Sequence, residues 1–575
     1  MDVQELATPS QIKNTRVRRQ RLLQYVQAQI DAARTRIQGK YAMWERMDKL
    51  WRNYRFAKPY PWRANVFNPL PFFLIETGLP KMVLSIWQDH DRVVQISPTE
   101  PNDLAVADQA DALVNFQMLR EMRATLQNIK VIKSNLIFGT GVGKLTWNMK
   151  KQCPEFRHVP LMNFLRDPDD KDLQGSGWRS EDIFASYMDL KEKEKRGLYH
   201  SCDQVKGTMA PSTEEQGYDP QRNLQQYDPQ KNIRLTEWYG PVPMCLLIDG
   251  AGSDERIPGL VVIANKSVII RDEPNPFDHQ KPPFIESIDH IDLYDAYGMG
   301  EIEPLESLAW MANDLLNQYL DGRNLELNAM WKASRTADID FPALVARPGG
   351  IVLVGDMLGL ERLDFKNQTV SNMQDQNFMT QLFQMGSGVT NVSAGLQGGN
   401  TPETAAGTEM LSNAAGQRIA LKIFLANDLL IGPEANMILS LDKQLLPDEK
   451  AIRVLGTNSS MKILRNDLAD KDFDVYPVPM NALGSTSAQI RDMTNVMQVQ
   501  GSINPQWALP YAERIAKIFG LKDPRIFQSM QPAVDVLQEE AAAGNMQPMG
   551  RGGAPLPMGP MSPEQVPGGT GGMLR

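Results

Sequence analysis

The segment Gly139–Lys144 has the sequence GTGVGK and is the first candidate for chemistry, because a glycine-rich loop that ends in lysine can hold phosphate groups. The nucleotide-binding pattern GxxxxGK[ST] requires glycine at position 138 and serine or threonine at position 145. This chain has Phe138 and Leu145 there. A helix is also predicted before the loop and a strand, Val142–Asn148, after it, which reverses the order of a phosphate-binding loop. We therefore predict a glycine turn that leads from a helix into a strand.

Four carboxylates that stand close together form the second candidate, a calcium loop. An EF-hand that began at Asp167 would need glycine at its sixth position and glutamate at its twelfth, where Asp172 and Trp178 stand. We therefore predict a loop of solvated acids without a metal. The four carboxylates are Asp167, Asp169, Asp170 and Asp172.

Histidines and cysteines offer neither a metal site nor a catalytic pair. The histidines never stand at i and i+4, HExxH and GxSxG do not occur, and the three cysteines lie far apart in sequence. We expect no catalytic residue, no metal and no cofactor, so the chain is not predicted to be an enzyme. Cysteine usage favours a reducing compartment. The residues are His90, His158, His200, His279, His290, Cys153, Cys202 and Cys245.

Charge is unevenly distributed over the 575 residues. The net charge is −9, but residues 1–60 carry thirteen Lys/Arg against five Asp/Glu, about +8, which leaves about −17 for the remainder. The basic cluster Arg16, Arg18, Arg19 and Arg21 could contact nucleic acid, but we favour a solvated helix face or a patch docked on an acidic neighbour. No apolar run reaches the roughly 18 residues of a membrane helix, and no signal-peptide pattern is seen, so no membrane partner is expected.

The stretch Gly300–Leu446 organises the rest of the chain. It is predicted as a helix, a short β segment, a second helix at Val370–Met385, a glycine-rich loop, and a long helix kinked at Gly432-Pro433. In the first helix, Ile302–Asn324, apolar residues fall on one face at helical spacing and acidic residues fall largely on the other. We predict that the acidic face is exposed to water. Its carboxylates are Glu303, Glu306, Asp314 and Asp321.

The remaining elements are predicted from periodicity and breakers, with Asn265–Lys266 as a tight turn. Nine Gly and six Pro among residues 541–575 predict a disordered tail. Predicted helices are Ile12–Arg55, Pro71–Trp87, Pro101–Phe138 and several within Ser487–Glu540. Predicted strands are Arg234–Tyr239, Met244–Ile248, Leu260–Ala264, Val268–Arg271 and a strand–loop–strand unit at Ala451–Tyr476.

The order of these parts resembles the portal protein, or head-to-tail connector, of tailed double-stranded DNA bacteriophages. Within Gly300–Leu446, the resemblance is carried by the order of first helix, Arg347-Pro348-Gly349-Gly350, second helix, glycine-rich loop and following helix. The other stretches that carry it are Ser134–Trp147, Pro160–Asp170 with Trp178–Leu190, and Asn275–Phe284 leading to Tyr297–Gly300.

The resemblance implies an α+β, mainly helical fold with wing, stem, clip and crown regions, assembled as a ring around a central channel. The implied regions are a basic N-terminal helical region (1–60), wing (61–299), first stem helix (300–329), clip (330–366), second stem helix (367–389), tunnel loop (390–407), kinked tunnel helix (408–446), wing return strands (447–484), helical crown (485–540) and disordered tail (541–575).

The resemblance also implies the function and the partners. Portals form a ring of about twelve subunits at one capsid vertex of the virion, and double-stranded DNA passes through the channel during packaging and ejection. The terminase large subunit docks on the clip and head–tail adaptor proteins replace it, while the wing contacts major capsid and scaffold proteins. Assembly would take place in the bacterial host cytoplasm. The alternatives are a DNA-packaging nuclease or ATPase subunit, or a minor capsid or scaffold protein without a channel.

Three sets of residues are candidate contact sites. An acidic stem face that points into the channel would repel DNA phosphates and let DNA slide, whereas one that points outward would serve solubility or contacts with neighbours. The tunnel loop, with one charge in eighteen residues, could touch phosphates without strong binding. Its candidate DNA contacts are Thr390, Asn391, Ser393, Gln397, Asn400 and Thr401. Candidate clip contacts for the motor and adaptors are Trp331, Lys332, Arg335 and Arg347.

Overall fold

Helices and strands are mixed throughout the larger of the two units into which the chain divides, Met1–Gly484 and Ser485–Arg575. A computed structural model describes residues 15–54, 60, 63–87, 92–100, 103–207, 233–248, 253–327, 331–334, 360–362, 369–388, 417–453, 460–469, 471–478 and 494–497. The smaller unit is described only at the helical residues 494–497. The mixture agrees with the predicted α+β class.

The helices vary from one turn to ten turns. No helix in these described ranges combines the length and the apolarity needed to cross a membrane. They are α1 (Thr15–Trp51), α2 (Leu70–Ile86), α3 (Leu104–Phe116), α4 (Ala124–Phe138), α5 (Tyr187–Lys195), α6 (Met244–Leu247), α7 (Glu306–Leu327), α8 (Thr369–Ser387), α9 (417–426), α10 (Gly432–Leu445) and α11 (Arg465–Ala469), with π-helical turns at Gln117–Glu121 and Asn427–Ile431 and 3-10 turns at Leu161–Asn163, Cys202–Gly207 and Glu303–Leu305.

The strands form one five-stranded sheet in the order β4-β5-β6-β7-β8, one three-stranded sheet in the order β3-β2-β9, and the pairs β1-β14, β10-β11 and β12-β13, all antiparallel. They are β1 (Val94–Pro98), β2 (Thr140–Asn148), β3 (Cys153–Val159), β4 (Phe164–Arg166), β5 (Arg179–Ala185), β6 (Ile233–Pro243), β7 (Arg256–Ala264), β8 (Val268–Pro274), β9 (Phe284–Ile288), β10 (Trp331–Ala333), β11 (Leu360–Arg362), β12 (Glu449–Arg453), β13 (Ser460–Leu464) and β14 (Phe473–Pro477).

The five-stranded sheet is covered on both faces. Successive side chains of a strand point to opposite faces, yet the run from Leu260 to Ala264 in β7 is buried without interruption. Leu22, Tyr25 and Val26 of α1 belong to the same hydrophobic core as the sheet. The predicted turn Asn265–Lys266 between β7 and β8 is confirmed, because both residues adopt positive φ, 45° and 57°.

The predicted helix Pro101–Phe138 is wrong as a single element. The chain passes from α3 into the π-helical turn Gln117–Glu121, and α4 starts only after Arg123, which has a left-handed backbone with φ 51°. A left-handed residue cannot continue a right-handed helix, so the axis changes direction there. A second core forms around α2, α3 and α4 and includes α10 and the start of α7.

The predicted strand Met244–Ile248 is also wrong. Pro243 ends β6, and Met244–Leu247 form the one-turn helix α6. The composition of this segment is β-prone. The carbonyl groups of Leu246 and Leu247 nevertheless accept hydrogen bonds from the guanidinium of Arg18, 2.8 and 2.7 Å away. Tertiary contacts therefore overrode the local preference.

The long helix that was predicted to kink at Gly432-Pro433 contains a π-helical turn just before these residues. The N–H of Gly432 donates to the carbonyl of Asn427, five residues earlier, and both Gly432 and its neighbour Ile431 keep helical backbone angles. The wider turn accommodates Pro433, which lacks an N–H and would crowd the carbonyl four residues before it. α9 and α10 are thus joined without a break.

The unit predicted at Ala451–Tyr476 contains three strands instead of two. β12 and β13 pair with each other, whereas β14 pairs with the distant β1, with Ile96 opposite Val475. The short helix α11 separates β13 from β14. The last strand therefore ties this part of the chain back to residues 94–98.

Candidate functional site

The candidate site is the junction at which α7 leaves the strand core and α8 and α9 return to it. Lys422 of α9 lies at its centre and donates to both carboxylate oxygens of Asp289 at 2.7 Å. The same ammonium lies 2.5 Å from Glu301, which stands just before α7. Asp289 is fully buried. The ion pairs therefore fix α9 to the start of α7.

The backbone at this junction is held by glycines at close approach. Gly139 ends α4 in a left-handed conformation with φ 85° and leads into β2, as the predicted helix–turn–strand arrangement requires. A Cβ added to Gly298 would lie 2.5 Å from the carbonyl oxygen of Gly139, and one added to Gly300 would lie 2.6 Å from that of Ile137. Only glycine fits where two backbones touch in this way. The sequence prediction found the turn but not its partner.

The end of α8 meets the start of α7. A Cβ added to Gly386 would lie 2.7 Å from a methyl group of Leu305, and Arg418 of α9 donates to the Gly386 carbonyl at 3.1 Å. A cavity of about 340 Å³ opens here, with apolar α2 side chains such as Leu74 and Met82 on one side and the charged groups of the junction on the other. The helices α7, α8 and α9 therefore meet at this point of the core.

Asp289, His290 and Glu301 carry oxygen and nitrogen atoms close enough together to hold a metal ion. However, the Lys422 ammonium already binds both carboxylates, so a metal ion would have to displace it. His290 lies 3.0 Å from Asp289, and a hydrogen bond to that carboxylate raises the pKa of the imidazole. The arrangement is that of a closed ion-pair network, so we assign no metal to it.

The polar face of α7 was predicted to be exposed to water, but part of it is covered by residues 64–68. Three residues at a spacing of four, Asn313, Asn317 and Asp321, accept hydrogen bonds from the backbone N–H groups of Asn68, Val66 and Ala64. The distances are 2.6, 2.8 and 2.5 Å in that order. Four helical residues rise about 6 Å and two extended residues about 6.6 Å, so residues 64–68 can run antiparallel along α7 with matched spacing.

The four acidic residues predicted for this face have different surroundings. The Arg46 guanidinium donates to Glu306 at 2.7 Å, and Asp321 accepts the hydrogen bond from the backbone N–H of Ala64. Glu303 is partly buried, and this burial raises the pKa of its carboxyl group. Asp314 is exposed. The structure therefore separates the four residues, and Asp314 alone of them is exposed.

Two of the predicted clip residues are described. Trp331 and Lys332 lie on β10, opposite Arg362 and Glu361 of β11. Trp331 is 47% exposed, and Lys332 forms an exposed ion pair of 3.2 Å with Glu361. The clip candidates Arg335 and Arg347, and the tunnel-loop candidates Thr390, Asn391, Ser393, Gln397, Asn400 and Thr401, lie outside the described residues.

The N-terminal arginine cluster docks on an acidic neighbour, as one of the favoured interpretations predicted. Arg18 is buried and donates to Asp272 at 2.7 Å, and Arg19 lies 3.2 Å from the same carboxylate. Although burial alone would raise the pKa of Asp272, hydrogen bonds from His200 and Arg18 lower it. This part of the cluster therefore holds α1 on β8.

A set of buried ion pairs in the strand region was missed by sequence reasoning. Glu286 of β9 is fully buried and accepts from Arg166 at 2.5 Å and from Arg179. The prediction of solvated acids is wrong for Asp170, which also binds Arg179 at 2.9 Å. Burial alone would raise the pKa of Asp170, but hydrogen bonding and charge from Arg179 lower it. Its neighbour Asp169 is exposed.

Lys144, the lysine of the GTGVGK segment, faces carboxylates rather than an open loop. Its buried ammonium contacts Glu181 at 3.1 Å and also Glu237. Although burial alone would raise the pKa of Glu237, the Lys144 charge lowers it to about 2. The prediction that a glycine turn leads here from a helix into a strand is confirmed at Gly139, although β2 begins at Thr140 and not at Val142.

Comparison with known proteins bears on the whole of this arrangement. A family model described as the phage SU10 portal protein matches residues 143–551. No curated protein matches the chain. The match covers more than half of the sequence and includes Asp289, Glu301 and Lys422 of the junction, the helices α7 and α8, and β12–β14. The chain therefore belongs to the phage SU10 portal protein family and has a phage portal role at the capsid vertex.

Proposed function

We propose that this member of the phage portal family assembles into a ring of about twelve copies whose central channel carries double-stranded DNA into the capsid and out of it. The single observation that supports this most is the family match over residues 143–551. Members of the portal family are generally not enzymes. The Lys144 contacts agree with this, because its ammonium is neutralised by two carboxylates and not available to a phosphate.

We assign the stem to α7 and α8. α7 has 22 residues and so extends about 33 Å from the junction. α8 runs back beside it to the contact between Gly386 and Leu305. The β10–β11 pair stands between these two helices in the chain, so we assign Trp331 and Lys332 to the clip. This geometry supports a stem at 300–329 and 367–389 with a clip at 330–366.

We propose the clip surface around Trp331 and Lys332 as the docking site of the terminase large subunit and later of head–tail adaptor proteins. A half-exposed tryptophan beside charged groups is typical of interface anchors. The strand-rich region 61–299, with 447–484, would be the wing that contacts major capsid and scaffold proteins. Residues 485–540 would form the crown, and 541–575 a tail.

The contacts of α7 refine the proposed channel wall. Glu306 and Asp321 are engaged with Arg46 and with the backbone at Ala64, so Asp314 is the candidate that remains open to repel DNA phosphates. We therefore propose the tunnel loop, residues 390–407, as the nearer DNA contact. Its hydroxyl and amide side chains can touch phosphates without the strong binding that a lysine row would give.

The assembly is tested by the particle mass of the purified full chain. We expect a species of about twelve times the 64.5 kDa chain mass. A monomer or dimer at every protein concentration and salt concentration would contradict the proposal.

The loop is tested by deletion of Ser393–Asn400 in phage particles. We expect an unchanged number of subunits in the purified particle but a reduced amount of full-length DNA in capsids, because the proposed contact is lost. A matched control replaces the same eight residues with a Gly/Ser segment of equal length. Full packaging by the deletion variant would remove the loop from the proposal without affecting the ring.

A further inference from the structure

Two carboxyl groups on α10 are buried without a positive partner. Glu434 and Asp442 are both 0% exposed and stand two turns apart on α10. Each faces a carboxamide that is also 0% exposed, Asn128 of α4 for Glu434 and Gln117 of the π-helical turn for Asp442. Neither pair belongs to the junction or to the ion pairs of the strand region.

The hydrogen bonds of the two pairs are incomplete in the same way. Asn128 Nδ2 donates to Glu434 Oε2 at 2.8 Å, while Glu434 Oε1 and Asn128 Oδ1 are buried without a hydrogen-bond partner among the described residues. Gln117 Nε2 donates to Asp442 Oδ1 at 2.7 Å, while Asp442 Oδ2 and Gln117 Oε1 are also buried without a hydrogen-bond partner among the described residues. If the carboxyl group were ionised, both unpaired oxygens of each pair could only accept, and neither could donate to the other.

One proton on the carboxyl group of each pair supplies the missing hydrogen-bond donor. A protonated carboxyl group has an O–H that can donate to the carboxamide oxygen, while the carboxamide N–H₂ donates to the other carboxyl oxygen. The result is a reciprocal two-bond pair with no net charge. Buried polar groups are normally hydrogen-bonded, and an isolated buried charge is far less favourable than its neutral form.

We propose that Glu434 and Asp442 are uncharged carboxylic acids in the folded protein, each paired reciprocally with a carboxamide, and that their ionisation in alkaline solution loosens α10 from α4 and from the π-helical turn. Because α10 continues through the Asn427–Ile431 turn into α9, the two pairs fix the helix that also carries Lys422. The proposal concerns the folded chain itself and does not depend on DNA or on the ring.

The charged surroundings agree with neutral acids. Burial raises the pKa of Glu434 to about 8, and only the Asn128 hydrogen bond opposes it. Burial raises the pKa of Asp442 to about 7 against the Gln117 hydrogen bond. Lys450 of β12 and Glu121 of the π-helical turn also face Asp442, but they form an ion pair of 2.7 Å with each other and their effects oppose.

The direction of the pH dependence follows from these values. The folded-state pKa of Glu434 lies above its ordinary value of 4.5, so its contribution to stability is fully present below pH 4.5 and is lost as the pH rises to about 8. For Asp442 the corresponding range extends from 3.8 to about 7. Both contributions therefore decrease with increasing pH, opposite to those of ion-paired carboxylates.

The test compares the chemical denaturation of the assembled full chain with that of Glu434→Gln and Asp442→Asn at pH 5 and pH 9. The new amide N–H₂ donates where the acid O–H did. We expect nearly equal unfolding equilibrium constants at pH 5 and, for each variant, a constant at least about tenfold smaller than that of the wild type at pH 9, since one pKa unit corresponds to tenfold. Greater destabilisation of the variants at pH 9 than at pH 5 would overturn the proposal.

Infrared difference spectroscopy of the wild type against each variant tests protonation without requiring unfolding. At pH 7 we expect a carboxylic-acid C=O band in the wild type for Glu434 that is absent from Glu434→Gln, and a partial band for Asp442. The band should be replaced by a carboxylate band as the pH rises to 9. Asp182→Asn, at a buried carboxylate paired with Arg34 and Arg234 that lower its pKa, is the matched control and should remove no carboxylic-acid band. A wild type without such bands at pH 6 would refute the assignment.

Discussion

The strand region and α10 bury carboxyl groups to the same extent but by different chemistry. Glu286 and Glu434 are both fully buried glutamates. Glu286 lies between the guanidinium groups of Arg166 and Arg179, whereas Glu434 faces only the carboxamide of Asn128. The charge of the partner, and not the degree of burial, therefore decides whether a buried acid is ionised.

The two arrangements also differ in what they make possible. Ion pairs such as Lys144 with Glu237 and Arg234 with Asp182 hold strands in fixed positions, and they persist over a wide pH range because the pKa of each carboxyl group is lowered. The carboxamide pairs hold α10 through uncharged groups whose strength changes near neutral pH. This would leave the strand region rigid and α10 adjustable.

The largest expected effect is that of Glu286→Gln. Removal of this charge leaves two buried guanidinium groups without their shared carboxylate, so we expect the free energy of unfolding at pH 7 to fall by about 3–5 kcal/mol. Chemical denaturation measures it, with Glu192→Gln in the exposed ion pair with Arg196 as a control that should change stability by less than about 1 kcal/mol. Equal effects of the two substitutions would remove the distinction between the regions.

A smaller effect is expected at the junction for Lys422→Met. The change leaves Asp289 buried with only His290 nearby and Glu301 without its ammonium partner, so we expect a loss of about 2–4 kcal/mol. Hydrogen exchange should also become faster in α9, because its anchor to the start of α7 is gone. Unchanged exchange in α9 would show that the junction is held by apolar packing alone.

The smallest effect is expected on the polar face of α7. Asn317→Ala removes hydrogen bonds to the N–H and the carbonyl of Val66, so we expect a loss of about 1–2 kcal/mol and faster amide exchange at residues 64–68. Asp314→Ala, on the exposed part of the same helix, is the matched control and should change stability by less than about 0.5 kcal/mol. Similar exchange in the two variants would contradict docking of residues 64–68 on α7.

Local patterns predicted much of this fold. The spacing of Gly139–Lys144 excluded a phosphate loop, and the apolar periodicity of Ile302–Asn324 predicted α7. By contrast, the left-handed residue Arg123 has no Gly or Pro beside it, so nothing local indicated that the predicted helix Pro101–Phe138 ends there. The β-prone residues Met244–Ile248 formed a helix because Arg18, far away in sequence, captures its carbonyls.

The candidate site was less predictable, because its partners are distant in sequence. Lys422 and Asp289 of the site are 133 residues apart, and outside the site Asn128 and Glu434 are 306 residues apart. A lone glutamate on an apolar helix gives no sign of its partner, and a lysine gives no sign of which acid it meets. Asp321 was predicted to lie on a face exposed to water, whereas it accepts a hydrogen bond from the backbone N–H of Ala64.

Electron microscopy of the purified, assembled full chain tests the central claim most directly. We predict rings of about twelve subunits with a hole wide enough for double-stranded DNA. The helices α7 and α8 should surround the hole, and the β10–β11 pair should lie at one end of the ring. Compact particles without a central hole, or rings in which these two helices lie on the outer rim, would contradict the account.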